Sequence, residues 1–162
     1  MLLLSKPETN FKISKNLKLN YNTYSLNHAH SNLSGFNACP MANKINDGEN
    51  NSKKSNCSSV CVGFNGNAQR YTAVMESRIK KTISYFLDKK AFYNQLVYEI
   101  EKAIKSSKKK NLKPSFRLNA YSDIRYEKDI LKDNKNIFEL FSDVDFYDYS
   151  KLINREVPKN YQ

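Results

Sequence analysis

Tryptophan is missing from this 162-residue chain, and glycine, proline, cysteine and histidine are scarce: four, four, three and two residues. Each shortage narrows the reading. With so few glycines, no glycine-rich phosphate loop is present, and Gly63-Phe64-Asn65-Gly66 lacks the lysine and helix context of a nucleotide site. No apolar run approaches the length of a membrane span. Met1-Leu2-Leu3-Leu4 is too short for a signal-peptide core and no basic segment precedes it, so a cytoplasmic protein is expected. Three cysteines, an odd number, in a reducing compartment suggest thiols or metal ligands rather than disulfides.

What is abundant is positive charge. Lys and Arg number 27 against 16 Asp and Glu, a net charge of +11, which favours nucleic acid or another polyanion as a partner. Arg78, Lys80, Lys81 and the run Lys108, Lys109, Lys110 are the candidate contacts for such a partner. The alternative is that these are solvated helix faces and ends.

The length suits one domain over residues 1–162. Residues 1–33 read as a polar N-terminal arm, with a strand at Tyr21 to Leu26 where apolar and polar residues alternate. Residues 43–59, almost wholly Asn, Ser, Lys and Gly, read as a flexible loop with too little apolar surface to order itself. Residues 66–162 hold the expected α/β core. One helix is predicted over Ala68 to Leu87, with an inward stripe of Tyr71, Met75, Ile79, Thr82, Ile83 and Phe86 and with Arg78, Lys80 and Lys81 outside. Asp88 is placed to cap a second, from Lys89 to Lys109, with Phe92, Leu96, Ile100, Ala103 and Ile104 inward and Asn111 and Pro114 as its stop. Ser115 to Asn119 and Val144 to Tyr149 read as strands, with short helices at Asp129 to Leu131 and Asn136 to Phe141. Alternating helix and strand implies a parallel α/β arrangement, either an incomplete barrel or an open sheet.

Several stretches resemble the phage "gene product 88" family, in its order. They are Ser34-Gly35-Phe36-Asn37-Ala38-Cys39-Pro40-Met41-Ala42, Cys57-Ser58-Ser59-Val60-Cys61, Ser77-Arg78-Ile79-Lys80-Lys81-Thr82, Arg117-Leu118-Asn119 with Ser122-Asp123-Ile124-Arg125, and Val144-Asp145-Phe146-Tyr147-Asp148-Tyr149-Ser150-Lys151. The resemblance implies a phage protein acting in the host cytoplasm, but it implies no particular reaction. The chain departs from the pattern in three ways. A long polar loop separates Cys39 from Cys57; Ala120-Tyr121 replaces a Gly-Thr pair, and Tyr126 stands where Trp is usual. The family pattern also continues beyond Asn160-Tyr161, which implies a truncated relative.

Two candidate centres follow. Cys39, Cys57 and Cys61, spaced C-x17-C-x3-C, suit a soft metal: an iron–sulfur cluster, or zinc with His28 or His30 as the fourth ligand. Free thiols are the simpler reading. The spacing C-x3-C-x2-C of radical enzymes that use S-adenosylmethionine is absent. The second centre lies where parallel strands end. Asp123, Asp148 and Lys151 are candidate catalytic groups there, with Asn119, Ser122, Arg117 and Ser150 as substrate contacts, although Asp123 also suits a helix cap. Whether the chain is an enzyme is left open by the sequence.

Overall fold

The computed structural model describes residues 1–9, 11–40, 42, 61, 63, 71–152 and 154–162, with the backbone alone at Phe11 and Lys12. The loop expected at 43–59 and Cys57 lie outside the described residues, as does the predicted start of the first long helix. Four strands form one open sheet in the order β1 (Leu4–Ser5), β2 (Tyr21–Leu26), β3 (Lys113–Arg117) and β4 (Asp145–Phe146). The sheet is not closed into a barrel. Strands β2, β3 and β4 are parallel, as the alternation of elements requires, whereas β1 pairs antiparallel with β2.

Between β1 and β2 run a four-residue helix α1 (Phe11–Ser14) and a 3-10 turn at Lys15–Leu19. Asn20, at φ 62°, turns the chain into β2. Asparagine tolerates that left-handed conformation better than most residues. The polar N-terminal segment thus supplies the inner strand β2, and the core includes Leu3, Tyr24, Leu26 and Ala38 as well as residues beyond 66.

Burial of β2 on both faces explains its composition. Tyr24 and Leu26 face the apolar core, and Asn22 on the same face donates to Ser107 Oγ at 2.8 Å. On the other face Thr23 and Ser25 are buried, and Thr23 Oγ1 lies 2.8 Å from Ser115 Oγ and accepts from Asn16 Nδ2. The Thr23 hydroxyl can sit there because it finds partners in an adjacent strand and turn, whereas Ser25 Oγ is buried without one among the described residues.

The β2–β3 crossover carries two long helices, α2 (Thr72–Leu87) and α3 (Lys89–Lys109). Asp88 caps α3, its side chain accepting from Ala91 N. Asn111, at φ 54°, ends the turn that follows, and Leu112 N donates back to Ser107 O. The inward face of α3 is Phe92, Tyr93, Leu96, Glu99, Ile100, Ala103 and Ser107, so the predicted stripe holds apart from Ile104, which is only partly buried. The phase of α2 differs. Its buried residues are Arg78, Lys81, Thr82 and Tyr85, while Tyr71 is exposed and Met75, Ile79, Ile83 and Phe86 are half-buried. An apolar count alone cannot find a helix face whose neighbours are the polar ends of strands.

Strand β3 starts two residues earlier than expected and contains Pro114. Lys113 N bonds Asn20 O in the β2 direction, so the missing Pro114 donor faces β4, where pairing begins only at Ser115 with Asp145. The expected helix at Asp129 to Leu131 is absent; a 3-10 turn at Tyr126–Lys128 precedes it. Helix α4 (Ile137–Leu140) carries a capping box between Asn136 and Glu139. Beyond β4, residues 160–162 run alongside the strand: Phe146 N bonds Asn160 O and Gln162 N bonds Phe146 O. Among the described residues no helix is long and apolar enough to cross a membrane.

Strand β1 is short, and Glu99 on α3 holds it in place by accepting from the amides of Leu3 (2.9 and 3.0 Å) and Leu4 (2.7 Å). Replacing Glu99 with Ala leaves these amides without an acceptor. Loss of about 2–3 kcal/mol of unfolding free energy is expected in urea titrations. Faster amide exchange should appear first at Leu3, Leu4 and their partner strand β2.

Candidate functional site

The parallel strands end on one side of the molecule. Beyond β2 come His28, Ala29 and His30; beyond β3 come Asn119 to Asp123; beyond β4 comes Asp148. Most of these residues are buried, yet they do not form one pocket. They divide into two networks.

The first network joins the ends of β3 and β4 to the C-terminal segment. Asn119 accepts from Ser122 Oγ and Ile124 N and donates to Ile124 O, which uses its whole amide to shape the turn. Asp123 accepts from Ser150 Oγ (2.8 Å) and Lys151 N (3.0 Å), and lies 3.4 Å from the Arg155 guanidinium. Arg155 is in turn paired with Glu127 at 2.6 Å. Asp123 therefore caps no helix; it fastens residues 150–155 to the turn after β3. Asp148 accepts from Asn119 N and Tyr161 Oη, with Arg117 Nε at 3.8 Å. The residues predicted to be catalytic and substrate-binding are thus brought near one another, but as a latch. Lys151 contributes a backbone amide to it, and its residue is exposed.

The second network lies at the end of β2. Thr82 Oγ1 donates to Arg78 O and accepts from Ala29 N at 2.9 Å. Its own proton being committed, the contact with His28 Nδ1 at 3.2 Å requires His28 to be the donor. His28 Nε2 is then the acceptor for Tyr126 Oη at 2.6 Å. Both ring nitrogens of His28 are used, and burial with the nearby Lys81 charge pushes its pKa down to about 3. His28 is a neutral core histidine and is removed as a metal ligand. The Tyr126 hydroxyl completes the hydrogen bonding of this buried ring.

His30 sits differently. A methyl group placed on Gly63 would lie 3.1 Å from His30 Nδ1 and 3.3 Å from Cys61 Sγ. The absence of a side chain at Gly63 is what lets thiol and imidazole approach the same backbone. Gly63 N donates to Cys61 Sγ, and Gly63 O accepts from Arg78 Nη1 at 2.7 Å. The Arg78 guanidinium lies 4.0 Å from the centre of the Tyr121 ring, and Tyr121 O accepts from Cys39 Sγ at 3.5 Å. Arg78 thus links the neighbourhoods of Cys61 and Cys39. Burial and the Arg78 charge push the His30 pKa down, keeping the ring neutral. Among the described residues no group of three or more His, Cys, Asp or Glu side chains is placed to hold a metal.

The candidate nucleic-acid surface separates as well. Arg78 and Lys81 are only 7% and 6% exposed and cannot reach a phosphate backbone. Lys80, Lys108, Lys109 and Lys110 are exposed, and Lys110 pairs with Glu8 at 3.0 Å. Sequence reasoning also missed Arg155, Tyr121 and Asp129. The last accepts from Tyr85 and Tyr93 and pairs with Lys89, beside an open groove of about 1000 Å³ between α3 and residues 128–141. The signal available for Arg155 was its position as an isolated cation near the polar strand-end motifs.

Asp148 makes the latch sensitive to pH. Burial raises its pKa from 3.8 to about 7, so the folded chain holds this proton more tightly than the unfolded chain. Stability contributed by Asp148 therefore falls as pH rises from about 4 to 7. His28 acts oppositely: its folded pKa lies below 6.5, and stability rises with pH from about 3 to 6.5. The two slopes oppose each other in the wild type. In Asp148→Asn the falling slope should vanish, so unfolding free energy should climb more steeply between about pH 4 and 6.5, by up to roughly 1.4 kcal/mol per pH unit. Denaturant titrations at a series of pH values test this, and parallel profiles for the two proteins would count against it.

No curated protein and no solved structure matches the chain. The family described as Gene product 88 matches residues 2–162. With a match over nearly its whole length, the chain belongs to the phage gene product 88 family.

Proposed function

We propose that this protein holds a metal at the end of β2, with Cys39, Cys57, Cys61 and His30 as the donors. The observation that carries the reading is the seat of Gly63 against both Cys61 Sγ and His30 Nδ1. Cys57 enters through its spacing from Cys61 alone. Both ring nitrogens of His28 are committed to Thr82 and Tyr126, and His30 is chosen for the set by its place beside Gly63.

Three thiolates and one imidazole form a set suited to zinc, and a closed set of four is the pattern of a structural site. An iron–sulfur cluster held by the three cysteines alone uses no histidine. The placement of His30 Nδ1 and Cys61 Sγ against the same residue, Gly63, therefore favours zinc over iron–sulfur. Thiolates and a neutral imidazole are the ligand forms required. The depressed pKa of His30 supports the latter at neutral pH. A bound metal would supply a cross-link between the 39–63 region and the sheet. The chain's own residues do the positioning: Arg78 grips the Gly63 carbonyl, and Tyr121 O accepts from Cys39.

Anaerobic purification, elemental analysis and a visible spectrum test the reading. About one zinc per chain is expected in the wild type, with loss of most of it in Cys61→Ser and in His30→Ala. Iron with visible absorbance, retained in His30→Ala, would replace zinc by a three-cysteine cluster. Wild-type protein containing neither metal would overturn the proposal.

A further inference from the structure

Helix α2 turns two cations inward, at Arg78 and Lys81, and among the described residues neither pairs with a carboxylate. Ion pairs within 4.0 Å among the described residues involve Lys89, Lys110, Arg117 and Arg155, but not Arg78 or Lys81. Glu99 is the acid whose field reaches Lys81, and it is committed to the Leu3 and Leu4 amides and to Gln95. Arg78 Nη1 is spent on Gly63 O and the guanidinium lies over Tyr121, yet its Nε is buried without an acceptor. No hydrogen bond is formed by the Lys81 side chain among the described residues, although the residue is more than nine-tenths buried.

Such an arrangement is costly in an apo protein. Buried charges are ordinarily paired, and a buried N–H ordinarily has an acceptor. Lysine can escape by releasing its proton, and burial does push the Lys81 pKa down. Arginine has no such escape. Among the described residues both cations are kept inside, three residues apart on one helix face, with no carboxylate within ion-pair distance of either.

We infer that Arg78 and Lys81 bind a small oxyanion, the carboxylate or phosphate group of a ligand, beside the end of β2. The placement agrees with the chemistry. Ligands of parallel α/β sheets lie beyond the carboxyl ends of the strands, and Thr82 pins this helix face to Ala29 at that point. The Arg78 fork offers directed donors to two oxygens, and Lys81 adds a compact charge. Arg78 neighbours the proposed metal donors, through Gly63 and Tyr121 and through its charge beside His30, but the inference stands without a metal.

Full-length protein as purified is titrated with sodium phosphate and, separately, sodium acetate, against sodium chloride at matched ionic strength. Thermal unfolding and calorimetry report binding. Wild type should show a saturable rise in Tm with at least one of the two anions. A response to phosphate alone identifies a phosphate-bearing ligand, and a response to both identifies oxyanions in general. Lys81→Met removes the buried charge while keeping the side chain's bulk. It should unfold no earlier than wild type in chloride and bind the anion at least tenfold more weakly. Arg78→Lys keeps the charge, loses the fork and should weaken binding comparably, which gives a second comparison should Lys81→Met fail to fold. The inference is overturned by a wild type that distinguishes neither anion from chloride, or by variants that respond as the wild type does. Metal content measured on the same samples separates the two proposals, because an anion response in metal-free protein supports this one while removing the other.

Discussion

Thr82 Oγ1 is the atom on which the arrangement at the end of β2 turns. One hydroxyl donates to Arg78 O within its own helix and accepts from Ala29 N and His28 Nδ1 in the segment leaving the strand. A serine or threonine hydroxyl can do all three at once because it has one proton and two lone pairs. This contact fixes the rotation of α2 about its axis. Once Thr82 must meet the strand end, Arg78, one turn earlier, and Tyr85, almost one turn later, share its face. The apolar Ile79, Ile83 and Phe86 are left on the flank, where Phe86 stacks on Phe36 with ring centres 4.9 Å apart. The polar interior of the helix is therefore a consequence of where it docks.

The opposite corner of the sheet edge obeys a different logic. Asn119, Asp123 and Asp148 have the residue types of a catalytic site, but the chain consumes their hydrogen-bonding capacity internally. Asn160 adds to the closure, its Nδ2 donating to the carbonyls of Phe138, Phe141 and Val144 at 3.0 Å each. Together these contacts hold the last thirteen residues against β3, β4 and α4. A carboxylate with two or three donors around it is a good fastener, and for the same reason it is a poor general base unless those donors are exchanged for substrate. The separation of the strand ends into a latch at β3–β4 and a buried cationic corner at β2 is what directs the functional reading to the second.

Much of the scaffold was legible in the sequence, for reasons that can be named. Asp88 caps α3 and Asn111 closes it, because the chemistry of both positions is local. Tyr21–Leu26 was visible because alternation survives even when both faces are buried, with hydroxyls on one and larger groups on the other. Strand β1 was not, since two residues held by Glu99, 95 positions away, leave no periodic trace. The phase of α2 was hidden by its amino acids: counting apolar residues chooses Met75, Ile79 and Ile83, whereas docking chooses Arg78, Lys81 and Tyr85, and only Thr82 of the predicted stripe is buried. At the site, the motifs name segments that lie beyond the strand ends among the described residues, but they do not divide them into latch and corner. That division depends on which partner satisfies each polar group, a property of tertiary contacts rather than of any motif.

The run Ser77-Arg78-Ile79-Lys80-Lys81-Thr82 shows how far sequence polarity can mislead, and how the error becomes informative. Read as a charged patch, it places all three cations in solvent and points to nucleic acid. The fold divides them, with Lys80 outward and exposed and Arg78 and Lys81 inward. An exposed lysine needs no explanation, but a buried arginine with an idle Nε needs a reason to have been enclosed. Stability does not supply one, because an apolar residue of similar size fills the same space without the desolvation cost. What the enclosed charges can supply is attraction for a negative group in a place water reaches poorly, where the interaction is less screened than at the surface. Net charge thus says little about this protein's partner; the two cations withdrawn from the surface say more than the ones left on it.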